Sequence, residues 1–308
     1  MKSYLEFESD IKVLEEELEK LKDPFNEEGI SEVDTQKISR IQSEIDSKLT
    51  ASYANLNEWQ ITQVARHEER PKAKFFIENL FTDFILLSGD RRFAEDSAVI
   101  AGFGLFEGKS VLVIGQEKGE DLDTRLKRNF AMMRPEGYRK CIRLMKLADK
   151  FNIPIITIID TPGAYPGVGS EKRGIAEAIA SSIDCMLSLR IPVIACITGE
   201  GGSGGAIALA SANKVLMLEN AIYSVISPEG AAEIIFKDPA KKEQAAKSLK
   251  LTASELLKLG VIDEIIQEPI AAHRNKEQVI SSIKAALIKH LEEFKNYTRE
   301  EIFEQRKK

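Results

Sequence analysis

The chain has 308 residues, 43% of them hydrophobic and 30% charged, with a formal net charge of −6. That length allows one large domain, or one domain with a helical extension, and the acidic balance argues against a nucleic-acid binder, whose domains present a basic face. No run reaches the ~18 apolar residues of a membrane span, and the opening MKSYLEFESD lacks the basic-then-apolar layout of a signal peptide, so a cytoplasmic protein is expected.

Residues 1–30 carry four Lys and ten Asp or Glu, with Leu5, Ile11, Leu14, Leu18 and Leu21 spaced three to six apart. The pattern predicts an acidic amphipathic helix that Pro24 ends. Ile30, Val33, Ile38, Ile41, Ile45 and Leu49 predict a second helix, so residues 1–65 read as a helical hairpin. Such an arm either docks a partner or packs on its own domain.

The character changes near Arg70-Pro71. AVIAGFGLF (98–106) and KSVLVIGQ (109–116) read as strands joined by a Gly108-Lys109 turn. Residues 121–133 read as a polar loop. Pro135 opens a helix to about Phe151, with Tyr138, Cys141, Met145 and Ala148 on one stripe. The buried strand IPIITIID follows, then a helix over about 171–189, then the buried strand IPVIACIT. A helix reaching about Ala212 comes next, and then the short strands KVLML and AIYSVI. Thr252-Ala-Ser-Glu255 reads as a capping box, with Gly260 as that helix's stop. VIDEII reads as a last strand, and the residues after Ala271 as one long helix. Buried strands alternating with helices imply an α/β fold with a parallel sheet covered on both faces. The three cysteines, Cys141, Cys185 and Cys196, lie in apolar surroundings without zinc-knuckle spacing and read as buried hydrophobes of a reducing compartment.

Two loops follow buried strands, where ligands collect in open α/β sheets. One is Asp160-Thr-Pro-Gly-Ala-Tyr-Pro-Gly167. The other is Gly199-Glu-Gly-Gly-Ser-Gly-Gly-Ala206, with five glycines in eight residues. Glycine lets a ligand approach the backbone, and a helix start offers free amides backed by the positive end of its dipole. The second loop is therefore suited to hold a negative oxygen. The lesser alternative is that glycine there serves only the packing of helix on strand.

Gly201-Gly-Ser203-Gly-Gly205 also matches the G-x-S-x-G nucleophile elbow. A hydrolase would need Asp263 and His273 as partners, but His273 in AAHRNK reads as exposed. Asp160-Thr-Pro-Gly163 is like a GTPase switch loop, yet Gly104-Leu-Phe-Glu-Gly108-Lys-Ser is one residue short of a P-loop and lies in a hairpin. Glu200 is a candidate base, although a carboxylate in that place more often orients or caps. Lys127, Arg128, Arg134, Arg139 and Lys140 could recognise a phosphate or an acidic partner, although a solvated face explains most of them.

RNFAMMRPEGYRK, IDTPGAYPGVG, GEGGSGGAIAL, VLMLENAIYSVISPEGAA and TASELLKLGVIDEII, in this order and spacing, resemble the carboxyltransferase alpha subunit of acetyl-CoA carboxylase. The resemblance runs from about Arg66 to Arg274, and the acidic first helix is similar to the family's N-terminal extension. Ser88 and Met133-Arg134 depart from the family's pattern. The resemblance implies a crotonase-like fold, a spiral of ββα units, over residues 66–274, with an N-terminal helical extension over 1–65 and a C-terminal helix over 275–308. It implies transfer of a carboxyl group from carboxybiotin, on a biotin carboxyl carrier protein, to acetyl-CoA, giving malonyl-CoA for fatty acid synthesis. It implies a beta subunit partner, two alpha with two beta, and a site at their interface. ATP would be used by a biotin carboxylase partner and not bound here. In many bacteria the beta subunit carries a zinc ribbon; no metal is implied for this chain. By motif position, the amides of Gly204, Gly205 and Ala206 would form an oxyanion hole for the ureido oxygen of biotin. Gly163 and Ala164 would line the same cavity. Tyr165, Pro166, Gly167, Gly201, Gly202 and Arg134 would shape the space for carboxybiotin and acetyl-CoA. The biotin itself would take the methyl proton, so no side-chain base is needed. The rival readings are a serine hydrolase at Ser203, a carboxylase of a longer acyl-CoA, and a non-catalytic scaffold of the complex.

Overall fold

The computed structural model describes residues 3–23, 25, 26, 29, 30 and 34–307. Pro24 and Val33, assigned above to a helix stop and a helix start, lie outside the described residues. Helix α1 (Ser9–Lys22) is followed by a two-rung antiparallel ladder of β1 (Phe25–Asn26) and β2 (Gly29–Ile30), then by α2 (Thr35–Tyr53). Ile30 thus belongs to the ladder, and α2 starts later than expected because the Asp34 side chain caps the amide of Lys37. Ile11, Leu18, Ile41, Ile45 and Leu49 are buried between the two helices. The hairpin packs on its own chain. Arg274 reaches Glu8 at 2.6 Å and Glu15 at 2.8 Å, and Ile270 joins the hairpin's core.

Two short helices, α3 (Glu58–Ala65) and α4 (Ala73–Leu80), and an edge strand, β3 (Thr82–Leu86), come next. Strand β4 (Val99–Phe106) pairs antiparallel with β3 and with β5 (Lys109–Gln116). The expected polar loop contains a helical turn, α5 (Leu122–Lys127), capped by Asp121. After α6 (Pro135–Lys150) the chain crosses to β6 (Ile155–Thr161), parallel to β5. The four stripe residues of α6 are buried, and Pro135 stands at its first turn.

The helix expected over 171–189 is two helices, α7 (Val168–Lys172) and α8 (Ile175–Ser188). Gly174 between them has φ 78°, a left-handed conformation that breaks the helix. Then come β7 (Val193–Gly202), α9 (Ser203–Ala210), β8 (Lys214–Leu218) and β9 (Ile222–Ser224). Five more α-helices and a last strand complete the fold: α10 (Pro228–Ala231), α11 (Lys242–Leu249), α12 (Ala253–Lys258), β10 (Glu264–Ile266), α13 (Lys276–Glu293) and α14 (Arg299–Arg306). The single C-terminal helix anticipated from sequence is therefore α13 and α14, separated at Tyr297 and Thr298, where Thr298 caps a new start.

The sheet order is β10-β8-β7-β6-β5-β4-β3, with β9 on the end of β7. The pairs from β5 to β10 are parallel. All seven residues of β6 are buried, as strands covered on both faces require. The capping box at Thr252 does not form: Thr252 makes no side-chain cap, and Glu255 turns to Lys258 at 3.0 Å. Gly260 does end α12, at φ 69°. Cys141, Cys185 and Cys196 are all buried and free. No helix among the described residues is long and apolar enough to cross a membrane.

Candidate active site

Strands β6 and β7 run side by side and release their loops at the same edge of the sheet. The glycine turn bends over the end of β7, and Gly202 precedes α9. Ser203 sits at φ 49°, a strained conformation for a residue with a side chain. The amides of Ser203, Gly204 and Gly205 occupy the first three helical positions, which have no acceptor within the helix. The first intrahelical bond belongs to the fourth position, so the Ala206 amide points back to Gly202.

The second loop crosses directly over this turn. A Cβ on Gly205 would stand 2.5 Å from the Gly163 carbonyl carbon and 2.8 Å from the Ala164 nitrogen. A Cβ on Gly202 would stand 2.2 Å from the Pro162 oxygen. Glycine at both positions is therefore demanded by backbone lying on backbone. The loop is fixed from three sides. The Thr161 hydroxyl bonds the Ala131 and Gly163 carbonyls at 2.8 Å each. The Tyr165 amide donates to Met133 at 3.0 Å. The Gln116 side-chain amide donates to the Gly205 carbonyl at 2.8 Å, tying α9 to β5.

A cavity of about 670 Å³ opens where the loops meet, lined by Gly163, Ala164, Ser203 and Gly204 and walled by Ile179, Val225 and Ile226. A second, of about 420 Å³, adjoins it through Ser203, Gly204 and Val225 and is lined by Ile207, Tyr223 and Leu249. Gly201 lies against the Tyr223 ring, and Gly205 and Ala206 are buried behind Gly204. Tyr165, Pro166, Gly167 and Arg134 stand apart from both linings. There Arg134 stacks over Tyr165 with 4.8 Å to the ring centre, and its amide donates to Asp96 at 2.7 Å.

A buried charge network stands beneath the turn. Lys118 bridges Asp160 and Glu200 at 2.7 Å each, and the Glu200 amide donates to Asp160 at 2.9 Å. Arg66 joins Glu200 and Glu229 at 2.6 Å each. Burial alone would raise the Glu200 carboxyl, but Lys118 and Arg66 outweigh it and hold the group at about 2. A carboxylate so firmly ionised and ion-paired is a poor base, so Glu200 positions the turn.

Arg66, Lys118 and Glu229 escaped the sequence reading. Arg66 meets its partners across 134 and 163 residues of chain, a distance that leaves no local signal. Ser227-Pro228-Glu229 did carry one: Ser227 caps Gly230 at 3.1 Å and Pro228 opens α10, the pattern of a helix start. Of the basic residues read as a solvated face, Arg139 and Lys140 are not. Lys140 is fully buried and donates to Val99 at 2.7 Å as well as to Glu95, and Arg139 meets Asp90 at 2.9 Å.

His273 is buried, not exposed. Its ring stacks on His67 with centres 3.8 Å apart, and Asp263 accepts the Val215 amide at 2.7 Å. No histidine lines either cavity around Ser203, so the hydrolase lacks its base. Glu8, His67 and His273 bring possible ligand atoms within 4.8 Å of one another. Glu8 already receives Arg274, Tyr53 and the Leu5 amide, and both His67 nitrogens have partners. This cluster is the joint between the N-terminal hairpin and the main body.

The family model described as acetyl co-enzyme A carboxylase carboxyltransferase-like matches residues 4–308, so the likeness includes both terminal helical parts. The chain is 65% identical over 308 residues to the acetyl-coenzyme A carboxylase carboxyl transferase subunit alpha of Pelagibacter ubique, covering 100% of this chain and 84% of the relative. It is 50% identical over 309 residues to the same subunit of Nitrobacter winogradskyi, covering 100% and 95%. Among solved structures, the transcarboxylase 12S core superposes with TM-score 0.57 at 19% identity, over 71% of this chain and 42% of that one. A Pseudomonas malonate decarboxylase hetero-tetramer in complex with coenzyme A also superposes with TM-score 0.57, at 16% identity, over 70% and 86%. At such identities these two establish the fold, which is crotonase-like.

Proposed function

The chain belongs to the acetyl-CoA carboxylase carboxyltransferase-like family and is a carboxyltransferase subunit, and from that premise we propose how its glycine turn works. The site moves a carboxyl group from carboxybiotin on a carrier protein to acetyl-CoA, in company with a beta subunit. The N–C bond to the carboxyl group breaks, a C–C bond forms at the acetyl methyl, and the methyl proton passes to the biotin ring. Negative charge develops on the ureido oxygen of that substrate as the N–C bond breaks, and the methyl proton then neutralises it.

The amides at the start of α9, with Gly163 and Ala164 facing them, receive that oxygen. Fixed donors of this kind need no reorganisation as charge appears, and removal of one costs about 2.7–4 kcal/mol in transition-state stabilisation. Ile179, Val225 and Ile226 offer apolar walls that suit a flat neutral ring. The Lys118–Asp160–Glu200–Arg66 network fixes the turn from behind. Positioning and fixed dipoles supply the catalysis, because Glu229, the carboxylate in the cavity lining, is held ionised by Arg66 at 2.6 Å and is a poor base. The apolar side chains of Ile207 and Val261, exposed in the lining of the smaller cavity, suit coverage by a second subunit.

One observation carries the reading: the contact of Gly205 with Gly163 and Ala164 brings two strand-end loops onto one wall of a 670 Å³ cavity. The test is co-production with the matching beta subunit and measurement of malonyl-CoA formed from the carboxylated carrier. An assembled complex that forms none refutes the proposal.

A further inference from the structure

The elements walling the cavities have an unusual surface. Ser227 and Glu229 of α10 line the larger cavity, and Leu249 of α11 lines the smaller one beside Ser203. Between α10 and α11 the chain forms a π-helical turn over Ala232–Phe236, a rare geometry concentrated at functional sites. Lys237 and Lys250, just after this turn and just after α11, both adopt left-handed backbone, at φ 52° and 50°. Both are the residues that end a helical segment, where left-handed backbone turns the chain out of the helix and leaves their side chains at the surface.

The charge here opposes that of the chain. Residues 233–250 hold five lysines against three carboxylates, in a protein of net charge −6. Among the described residues Lys237, Lys241, Lys242 and Lys247 form no ion pair, whereas Lys250 and Lys258 share Glu255. Asp238 is already occupied, accepting the Ala240 amide at 3.0 Å. Ile234 and Ile235 stand 70% and 60% exposed within this basic surround, and Val225 at the cavity mouth 78%.

We infer that the π-turn and α11 form the landing face for the biotin-bearing carrier domain, and that the carrier meets it with an acidic surface. The inference rests on the carboxyl-transfer reading above. A permanent subunit interface has an apolar core depleted in lysine. A face of unpaired lysines around two isolated isoleucines fits a partner that must arrive quickly and leave each cycle, because complementary charge raises the rate of encounter. The position beside Ser203 and Gly204 is where a tethered ring would enter the cavity.

The test uses the assembled complex with Lys237, Lys241 and Lys247 each changed to Glu. Lys242 is kept because it stacks on Trp59 at 4.6 Å. With the carboxylated carrier as donor, KM should rise about ten-fold or more, and added salt, which raises KM in the unchanged complex, should lower it in the variant. With a free biotin derivative as acceptor in the reverse reaction, turnover should stay at the level of the unchanged complex. Changing the same lysines to Gln should give a smaller shift in the same direction. An unaltered carrier KM overturns the inference. So does loss of the beta subunit from the variant, which would assign this face to that interface. If the unchanged complex fails with carrier and free biotin alike, the carboxyl-transfer reading falls, and this inference with it.

Discussion

Changing Gly205 to Ala adds one methyl group at the crossing of the two loops. Its Cβ would lie 2.5 Å from the Gly163 carbonyl carbon and 2.8 Å from both the Ala164 nitrogen and the Gly163 oxygen. Carbon atoms settle at about 3.5–4.0 Å, so the loops must part by about 1 Å. Both contacts are backbone, and neither can rotate away. Overpacking of this kind costs about 1–3 kcal/mol of stability, offset in part by the roughly 1 kcal/mol that alanine gains over glycine in a helix. A shift of about 1 Å in catalytic donors costs about 10²-fold in rate. The neighbouring change provides the control, since a Cβ on Gly204 would meet only Ile179, at 3.5 and 3.6 Å. Initial rates of malonyl-CoA formation by the assembled complex, with denaturant melts alongside, should show Gly205→Ala down about 10²-fold in kcat and still folded. Gly204→Ala should stay within a few-fold. Equal damage by the two, or wild-type kcat in Gly205→Ala, would refute the argument that loop contact positions the donors.

Ser203→Ala should keep most of the activity, and a fluorophosphonate probe should leave Ser203 unlabelled; complete loss of turnover would restore the hydrolase. His273→Phe should make the protein less sensitive to acid. Burial, with His67 and Arg70 nearby, pushes the folded imidazole from 6.5 down to about 2, so the unfolded chain takes up a proton that the folded one refuses. Stability from this group is therefore full above pH 6.5 and falls below it, by about 1.4 kcal/mol per pH unit. Both ring nitrogens lack partners, so phenylalanine sacrifices no hydrogen bond. Urea melts at pH 7.5 and 5 should differ less in the variant, and an unchanged difference counts against the linkage. Arg70→Met should cost roughly 3–5 kcal/mol in denaturant unfolding. It strands Glu268, which the buried guanidinium holds at 2.6 and 3.0 Å. Adding Glu268→Gln should recover part of the loss.

The legible parts of this protein were those whose signal is local. Residues 155–159 of β6, interrupted only by Thr157, and the apolar start of β7 over 193–197 form buried apolar runs, and the glycine turn at the end of β7 announces its own clearance. Pro135 and the stripe of α6 were read correctly for the same reason. Misreadings cluster where neighbours decide. The Thr252-to-Glu255 spacing matches a capping box, but Lys258 and Lys250 draw the glutamate away. His273 looked exposed because its segment is polar, and only the stacking of His67 against it, 206 residues away in sequence, buries it. Lys140 looked solvated on a basic stretch, yet three oxygens brought by the segment before β4 and its first residue accept its protons.

By itself, the sequence settled the alternation of strands and helices, the two strand-end loops and the likeness to a carboxyltransferase family, since each depends on periodicity, glycine content or motif order along a short stretch. Tertiary structure alone decided that Gly205 touches Gly163, that Lys118 and Arg66 quench Glu200, and that Ser203 has no histidine. Those outcomes depend on which distant segments share a few ångströms of space, and charges and contacts act through space without regard to the order of residues.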